Sequence, residues 1–368
     1  MSSTKRDDHL TDQQRVMILG SNASDATSLR ISAAGGVTGG HLYPNLAVLE
    51  EFAGRLNTEV LYFCVEGKLE EKLLPVFHPE YKRVSLRVQG LLRPIYHPAN
   101  VIRILRIISN EGKIKANLKS FRPDFSYVSG GYVSYPVALA SKRLGVPVFV
   151  QEQNTIPGKS NVAISRFAER IFVAFEESIT HFPPEVRNRI VITGNPIWVR
   201  EGKVELAHPT VLIVGGSGGS EFLNALALEL AKRMPDVNFV LSTGGKSLDT
   251  ADLPKNLEVK NYIDNMFAYW RAVDCAITRA GATTISELIH FNVPAIVIPW
   301  EGATEGHQVI NAKIFEKTGL GKMIRESDAS VDKVEWELRH LLLHGRVFSE
   351  RENPAKKIVD EILRVISR

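Results

Sequence analysis

The chain has two cysteines in 368 residues, Cys64 and Cys275. Both sit in apolar, strand-like runs. Two such thiols exclude a disulfide scaffold and a cysteine metal motif, and they fit a reducing cytosol. No apolar run approaches the length that spans a bilayer. The one apolar stretch in the polar first 29 residues, Val16–Leu19, is too short for a signal-peptide core. Met1–Leu29 is therefore expected to lie outside the fold as an irregular extension. Low-complexity tracts are absent too, and 44% hydrophobic with 23% charged residues is the balance of a globular protein.

Acidic residues are nearly missing from one stretch. Between Lys82 and Arg122 ten basic residues face a single acid, Glu111, a local charge of +9 in a chain whose formal total is +4. Bulky apolar residues interleave with the charge at Leu91, Leu92, Ile95 and Tyr96, close to Arg93, Arg103 and Arg106. That pairing predicts an anionic membrane surface as partner. The apolar side of an amphipathic helix over Asn100–Leu118 accounts for Val101, Ile104, Leu105 and Ile108, but not for the loop 90–96. Aromatics that would stack on bases are sparse, so nucleic acid is not expected as a partner.

Two common nucleotide motifs are also missing. Gly35-Gly36-Val37-Thr38-Gly39-Gly40-His41 follows the apolar run Ile31–Ala34 and precedes an amphipathic stretch over Leu42–Leu56. This is strand, glycine turn, helix, an arrangement that aims backbone N–H groups at an anion. No frame of it gives G-x-G-x-x-G, and His41 stands where a P-loop needs lysine. Gly245-Lys246-Ser247 lacks the first P-loop glycine, because Val240 is there.

What is present is a repeat of this opening. Strand-like runs at Arg30–Ala34, Val60–Val65, Arg83–Val88, Phe125–Val128, Val146–Val150 and Ile171–Ala174 alternate with helical periodicity. A Pro/Gly-rich lapse spans 193–209. Then Val211–Val214 leads into Gly215–Ser220 and a helix over Glu221–Met234, with strands expected at Phe239–Ser242, Asp274–Thr278 and Ala295–Pro299. The expectation is an α/β protein of two doubly wound, Rossmann-like domains facing a central cleft, with ligands at the carboxyl ends of the strands. The domains are expected at 30–193 and 210–353, with a linker over 194–209 and a last helix, 354–368, packing back on the first.

Eight ordered blocks carry a resemblance. They are Gly39–Pro44; Gly130–Ser134; Glu152-Gln153-Asn154 with Pro157-Gly158; Thr193–Pro196; Gly215-Gly216-Ser217; Tyr262–Met266; Arg279–Ala282 ending at Glu287; and His307-Gln308 with Asn311-Ala312. Together they resemble the MurG family of GT-B glycosyltransferases over about 31–312. The resemblance implies an inverting transfer of N-acetylglucosamine from UDP-N-acetylglucosamine to undecaprenyl-diphospho-N-acetylmuramoyl-pentapeptide, lipid I. It implies a peripheral location at the cytoplasmic face of the inner membrane, a part in cell-wall biogenesis, cell shape and cell division, and no obligatory cofactor or metal.

The resemblance also implies roles for single residues. Glu287 would hold the ribose hydroxyls, a task that suits a carboxylate with two accepting oxygens. From the residues alone, Thr284–Glu287 reads as a capping box. Ala282, Thr283 and Thr284 would meet the diphosphate, Ile263 would read uracil through its backbone, and Ser217 and Gln308 would contact the donor. Thr38, Gly39, Gly40 and Asn154 join that set from the first half, while the first glycine turn faces the acceptor diphosphate. His41, kept neutral at a helix start, and Glu152 are the two candidate bases.

Two positions depart from the family pattern. Val37 stands where the family has glycine, and a β-branched residue is ill-suited to positive φ. Trp198 replaces an arginine that contacts the donor, with Arg200 as its possible substitute. Those departures leave two other readings open: a UDP-sugar transferase with a different lipid acceptor, or a silent nucleotide-sugar-binding scaffold.

Overall fold

A computed structural model describes residues 28–90, 99–216, 218–248, 252–302 and 306–367, with backbone only over 99–109. The first 27 residues, the candidate membrane residues Leu91, Leu92, Arg93, Ile95 and Tyr96, and Ser217 lie outside the described residues. Arg103 and Arg106 fall on a described helix, but their side chains do not.

Two parallel sheets form the frame. The first contains β1 (Leu29–Ala34), β2 (Thr58–Val65), β3 (Lys82–Leu86), β4 (Phe125–Val128), β5 (Val148–Glu152), β6 (Arg170–Val173) and β7 (Ile190–Ile192), in the order 3-2-1-4-5-6-7. The second contains β8 (Thr210–Val214), β9 (Asn238–Ser242), β10 (Leu257–Lys260), β11 (Cys275–Thr278), β12 (Ala295–Val297) and β13 (Gly321–Met323), in the order 10-9-8-11-12-13. The central strands are near-continuous apolar runs because helices cover both faces. Each order reverses beside the strand that opens its half, β1 or β8. Each glycine turn therefore leaves the carboxyl end of a strand at a switch point, where open α/β sheets bind ligands.

Three strands escaped the sequence reading: β7, β10 and β13. All are edge strands of three or four residues. A half-exposed edge that short shows no alternation to detect. Elsewhere boundaries move by one or two residues, as at β5, which runs to Glu152 rather than stopping at Val150.

Helices α1 (Gly39–Arg55), α2 (Leu69–Phe77), α3 (Ala99–Phe121), α4 (Ser134–Arg143) and α5 (Lys159–Ser165) belong to the first half. The second half carries α6 (Glu221–Arg233), α7 (Met266–Ala272), α8 (Ala282–His290), α9 (His307–Lys317) and α10 (Val331–His344). The last helix, α11 (Pro354–Ile366), returns to the first half. Its Ala355, Ile358, Val359 and Ile362 share a core with Leu46, Leu49 and Phe52 of α1. Arg170–Glu361 and Arg55–Asp360 ion pairs flank that seam. Among the described residues no helix is long and apolar enough to cross a membrane. Cys64 and Cys275 are buried free thiols, and burial pushes each up to about 12.

The connecting segment is pinned by Trp198. Its ring stacks on Tyr43 of α1 at 5.4 Å and meets Phe77 edge-on at 5.2 Å. Its indole Nε1 donates to Glu50 at 2.6 Å, and His78 lies 3.0 Å from the same carboxylate oxygen. Both carboxylates beside His78, Glu50 and Glu80, raise the His78 pKa against the opposing pull of burial. Trp198 thus anchors the connecting segment to the first half. Trp198→Ala is expected to cost about 3–5 kcal/mol, read as a lower urea midpoint at unchanged m.

Candidate active site

The cleft is where the two helix-start turns meet. A Cβ placed on Gly40 of α1 would lie 3.7 Å from Thr283 Oγ1 at the start of α8. Thr155 Oγ1 donates to Asn311 Oδ1 at 3.2 Å, and Asn311 Nδ2 donates to the Ala280 carbonyl at 3.0 Å. These bonds tie the loop after β5 to the turn that opens α8. Tyr43 of α1 also lies within electrostatic reach of Tyr262, Arg200 and Glu287. The first-half and second-half candidates thus face one space.

In the second half Gly281 flanks the start of α8, and no side chain caps the helix. The first N–H groups, among them those of Ala282, Thr283 and Thr284, carry the positive end of the helix and have no intrahelical acceptor. The capping-box reading of Glu287 is overturned. The residue that flanks the helix start is Gly281 rather than Thr284, and Glu287 Oε2 instead accepts from Trp270 Nε1 of α7 at 2.9 Å. Burial pushes the Glu287 carboxyl up to about 7, against the lowering effect of the indole bond. Gln308 of α9 accepts with its carbonyl from Ala280 N at 3.2 Å and Trp300 N at 2.9 Å. That leaves its amide NH2 as the end able to donate. Ile263 is buried in the second core, so only its backbone can read a ligand. Arg200 stands over the Phe77 ring at 4.8 Å and reaches the Asp264 carbonyl at 3.5 Å, beside Ile263.

The facing wall is built on the first glycine turn. Thr38 is the N-terminal flanking residue of α1, and its hydroxyl lies 3.0 Å from His41 Nδ1 rather than capping the helix. The His41 ring rests over Gly130, where a Cβ would come within 2.5 Å of the imidazole. Gly130 has φ +101°, so that position needs glycine twice over. Burial lowers the His41 pKa below 6.5, with Glu152 and Glu70 pulling the other way. With its proton on Nδ1, donated to Thr38, the ring holds a lone pair at Nε2.

Glu152 is a poor rival. It is 1% exposed. Its Oε1 accepts from Asn154 N at 2.8 Å and Asn154 Nδ2 at 3.1 Å, and Oε2 from Gly158 N at 3.0 Å and Asn161 Nδ2 at 2.8 Å. Four donors saturate the carboxylate, which shapes the loop 153–161 and holds Asn154. Of the two candidate bases, the geometry favours His41.

The anion reading of the first turn needs amendment. Val37 N–H does not point to a ligand; it donates to Glu70 Oε2 at 2.8 Å. Glu70 of α2 is fully buried, and its other oxygen accepts from Val65 N at 2.9 Å. Val37 itself has φ +75°, the conformation its β-branch disfavours, at a cost of about 1–3 kcal/mol. Sequence reasoning missed Glu70, which looks like any acidic residue in a first helical turn, and Trp270, which looks like core. Neither carries a local signal.

Among the described residues no group of three His, Cys, Asp or Glu is arranged as metal ligands. A cavity of about 680 Å³ lined by Glu66, Arg87, Gln89, Asn110 and Lys113 opens at the β3–α3 edge.

Residues 31–173 match the glycosyltransferase family 28 N-terminal domain, and 210–365 match the family 28 C-terminal domain. The chain is 49% identical over 339 residues to the UDP-N-acetylglucosamine--N-acetylmuramyl-(pentapeptide) pyrophosphoryl-undecaprenol N-acetylglucosamine transferase of Thermosipho melanesiensis, covering 92% of this chain and 99% of the relative. It is 48% identical over 335 residues to the protein of that name from Thermosipho africanus, covering 91% and 98%. The crystal structure of Acinetobacter baumannii MurG superposes with a TM-score of 0.69 at 25% identity, over 92% of this chain and all of that one. The chain belongs to glycosyltransferase family 28, among the MurG-type N-acetylglucosamine transferases of GT-B fold.

Proposed function

We infer that this chain is a hexosyltransferase that moves N-acetylglucosamine from UDP-N-acetylglucosamine to N-acetylmuramyl-(pentapeptide) pyrophosphoryl-undecaprenol. The observation that carries the reading is the pairing of an uncapped α8 start and the Glu287 carboxylate with a neutral His41 across one cleft. The donor sits on the second half. Glu287 accepts from the ribose hydroxyls, the N–H groups at 282–284 meet the diphosphate, Ile263 reads the base through its backbone, and Gln308 donates to the sugar. Thr38, Gly39, Gly40 and Asn154 close over the donor from the first half.

The acceptor hydroxyl attacks the anomeric carbon in line, and its oxygen–carbon bond forms as the carbon–oxygen bond to UDP breaks. His41 Nε2 takes the hydroxyl proton. The negative charge growing on UDP is stabilised by the α8 dipole and backbone donors. One displacement inverts the anomeric centre.

Transfer of labelled sugar from UDP-N-acetylglucosamine to a lipid I analogue tests the reading. UDP binding without transfer would instead leave a silent scaffold, and transfer to another lipid acceptor alone would make the chain a different UDP-sugar transferase.

The acceptor's lipid brings the enzyme to the cytoplasmic face of the membrane as a peripheral protein. The +9 segment supports this location, since each basic residue near an anionic surface adds about 1 kcal/mol. Charge reversal at Arg93 and Arg103 is expected to release the protein from anionic vesicles in flotation assays, while neutral vesicles bind neither form. Retention on the anionic vesicles would move the membrane surface elsewhere.

A further inference from the structure

The buried carboxylate behind the first glycine turn has no part in the mechanism above. Glu70 is fully buried, and both its oxygens accept from backbone N–H groups, of Val37 at the turn and of Val65 at the end of β2. Gly36 packs on it so closely that a Cβ there would lie 2.5 Å from the Glu70 carboxyl carbon. The next residue is Val37, at φ +75°. Left alone, a β-branched residue would relax toward negative φ. That relaxation would swing Thr38, whose hydroxyl engages His41 Nδ1 and whose carbonyl accepts from His41 N at 3.2 Å and Leu42 N at 3.1 Å.

We propose that Glu70 is a positioning residue which clamps the strained Val37 turn and thereby sets the orientation of His41. The proposal rests on the reading of His41 as the base. Glutamate fits the task because two accepting oxygens serve two N–H groups, whereas glutamine offers one oxygen and would leave one buried N–H facing an amide. Glycine at position 37 would adopt the same φ without strain and would need no clamp.

This predicts a coupled pair. Glu70→Gln should lower kcat by about tenfold in the Val37 protein, with a smaller change in the KM for UDP-N-acetylglucosamine, because the turn supplies only part of the donor contacts but all of the Thr38 contact to His41. In a V37G background the same change should cost less than about threefold. A merely structural carboxylate would cost the same in both backgrounds and would raise donor KM as much as it lowers kcat; either result overturns the proposal. The melting temperatures of the four proteins give a readout that does not depend on the acceptor. V37G should raise the melting temperature, and E70Q should lower it less in the V37G background than in the parent. If the parent shows no transfer but this thermal coupling holds, the clamp stands and the role of His41 falls. If E70Q folds only together with V37G, the clamp is supported. If the double variant also fails to fold, Glu70 serves the core rather than the turn and the proposal is wrong.

Discussion

Replacing His41 with alanine is expected to lower kcat by about 10²–10⁴-fold, the span that a positioned general base supplies. UDP-N-acetylglucosamine affinity should stay within a few-fold, because His41 itself is not among the proposed donor contacts and most of those lie on the second half. The imidazole meets the requirements of a base through its setting. Burial lowers its pKa below 6.5, so it is neutral at neutral pH. Thr38 Oγ1 lies 3.0 Å from Nδ1, and the tautomer that donates to it from Nδ1 leaves Nε2 for the proton. Because the neutral form is the active one, the contribution of His41 is complete at neutral pH and is lost only as pH falls through that lowered value. In the alanine variant the acid limb of kcat due to His41 should vanish with the rate. His41→Gln keeps a polar side chain but cannot take up a proton at neutral pH, and should be as slow as alanine. Full activity in either variant would remove His41 from proton transfer.

Much of this architecture was legible because it rests on long-range patterns that repeat. The two halves each open with an apolar run and a glycine turn, and continuous apolar strands are what a sheet covered on both faces requires. What was not legible was whatever depends on a single distant partner. Thr284–Glu287 has capping-box spacing, yet the helix begins at Ala282, flanked by Gly281, and Glu287 turns to an indole seventeen positions away in the chain. Val37 could be flagged as a residue at odds with its turn. The carboxylate that holds it comes from α2, 33 positions later, where an acid in a first turn is ordinarily a solvated one.

Trp198 and Glu152 teach the same lesson from opposite sides. By residue type Trp198 looked like a lost donor contact. Tertiary contacts make it the hub of an aromatic cluster that docks the connecting segment on α1. By resemblance Glu152 is a candidate base, but four backbone and side-chain donors already saturate it. Residue chemistry named what each group could do. Partner count decided what it was free to do.

Glu287→Gln should weaken UDP-N-acetylglucosamine binding by about 10–100-fold, the loss of about 1.5–3 kcal/mol that attends hydrogen bonds to a charged acceptor. The fold should survive, since the amide carbonyl still accepts from Trp270 Nε1. The pH dependence is the sharper check. Burial raises the Glu287 pKa from 4.5 to about 7 in the free protein, and the form that accepts from both ribose hydroxyls is the ionised one. Donor affinity should therefore be full above pH 7 and decline below it, and the glutamine variant should show no such slope. Stability of the free protein runs the other way. Between pH 4.5 and 7 the folded state keeps a proton on Glu287 that the unfolded state has lost, so this group's contribution to stability falls as pH rises through that window. Thermal stabilisation by the donor should accordingly grow over the same interval in which the free protein weakens. Trp270→Phe keeps the buried ring but removes the donor that holds the pKa down, so the midpoint for donor binding should move above 7. Calorimetric titration with UDP-N-acetylglucosamine across pH 5–9 measures all three proteins alike. A flat profile in the parent, or one unmoved by Trp270→Phe, would take Glu287 out of the ribose site.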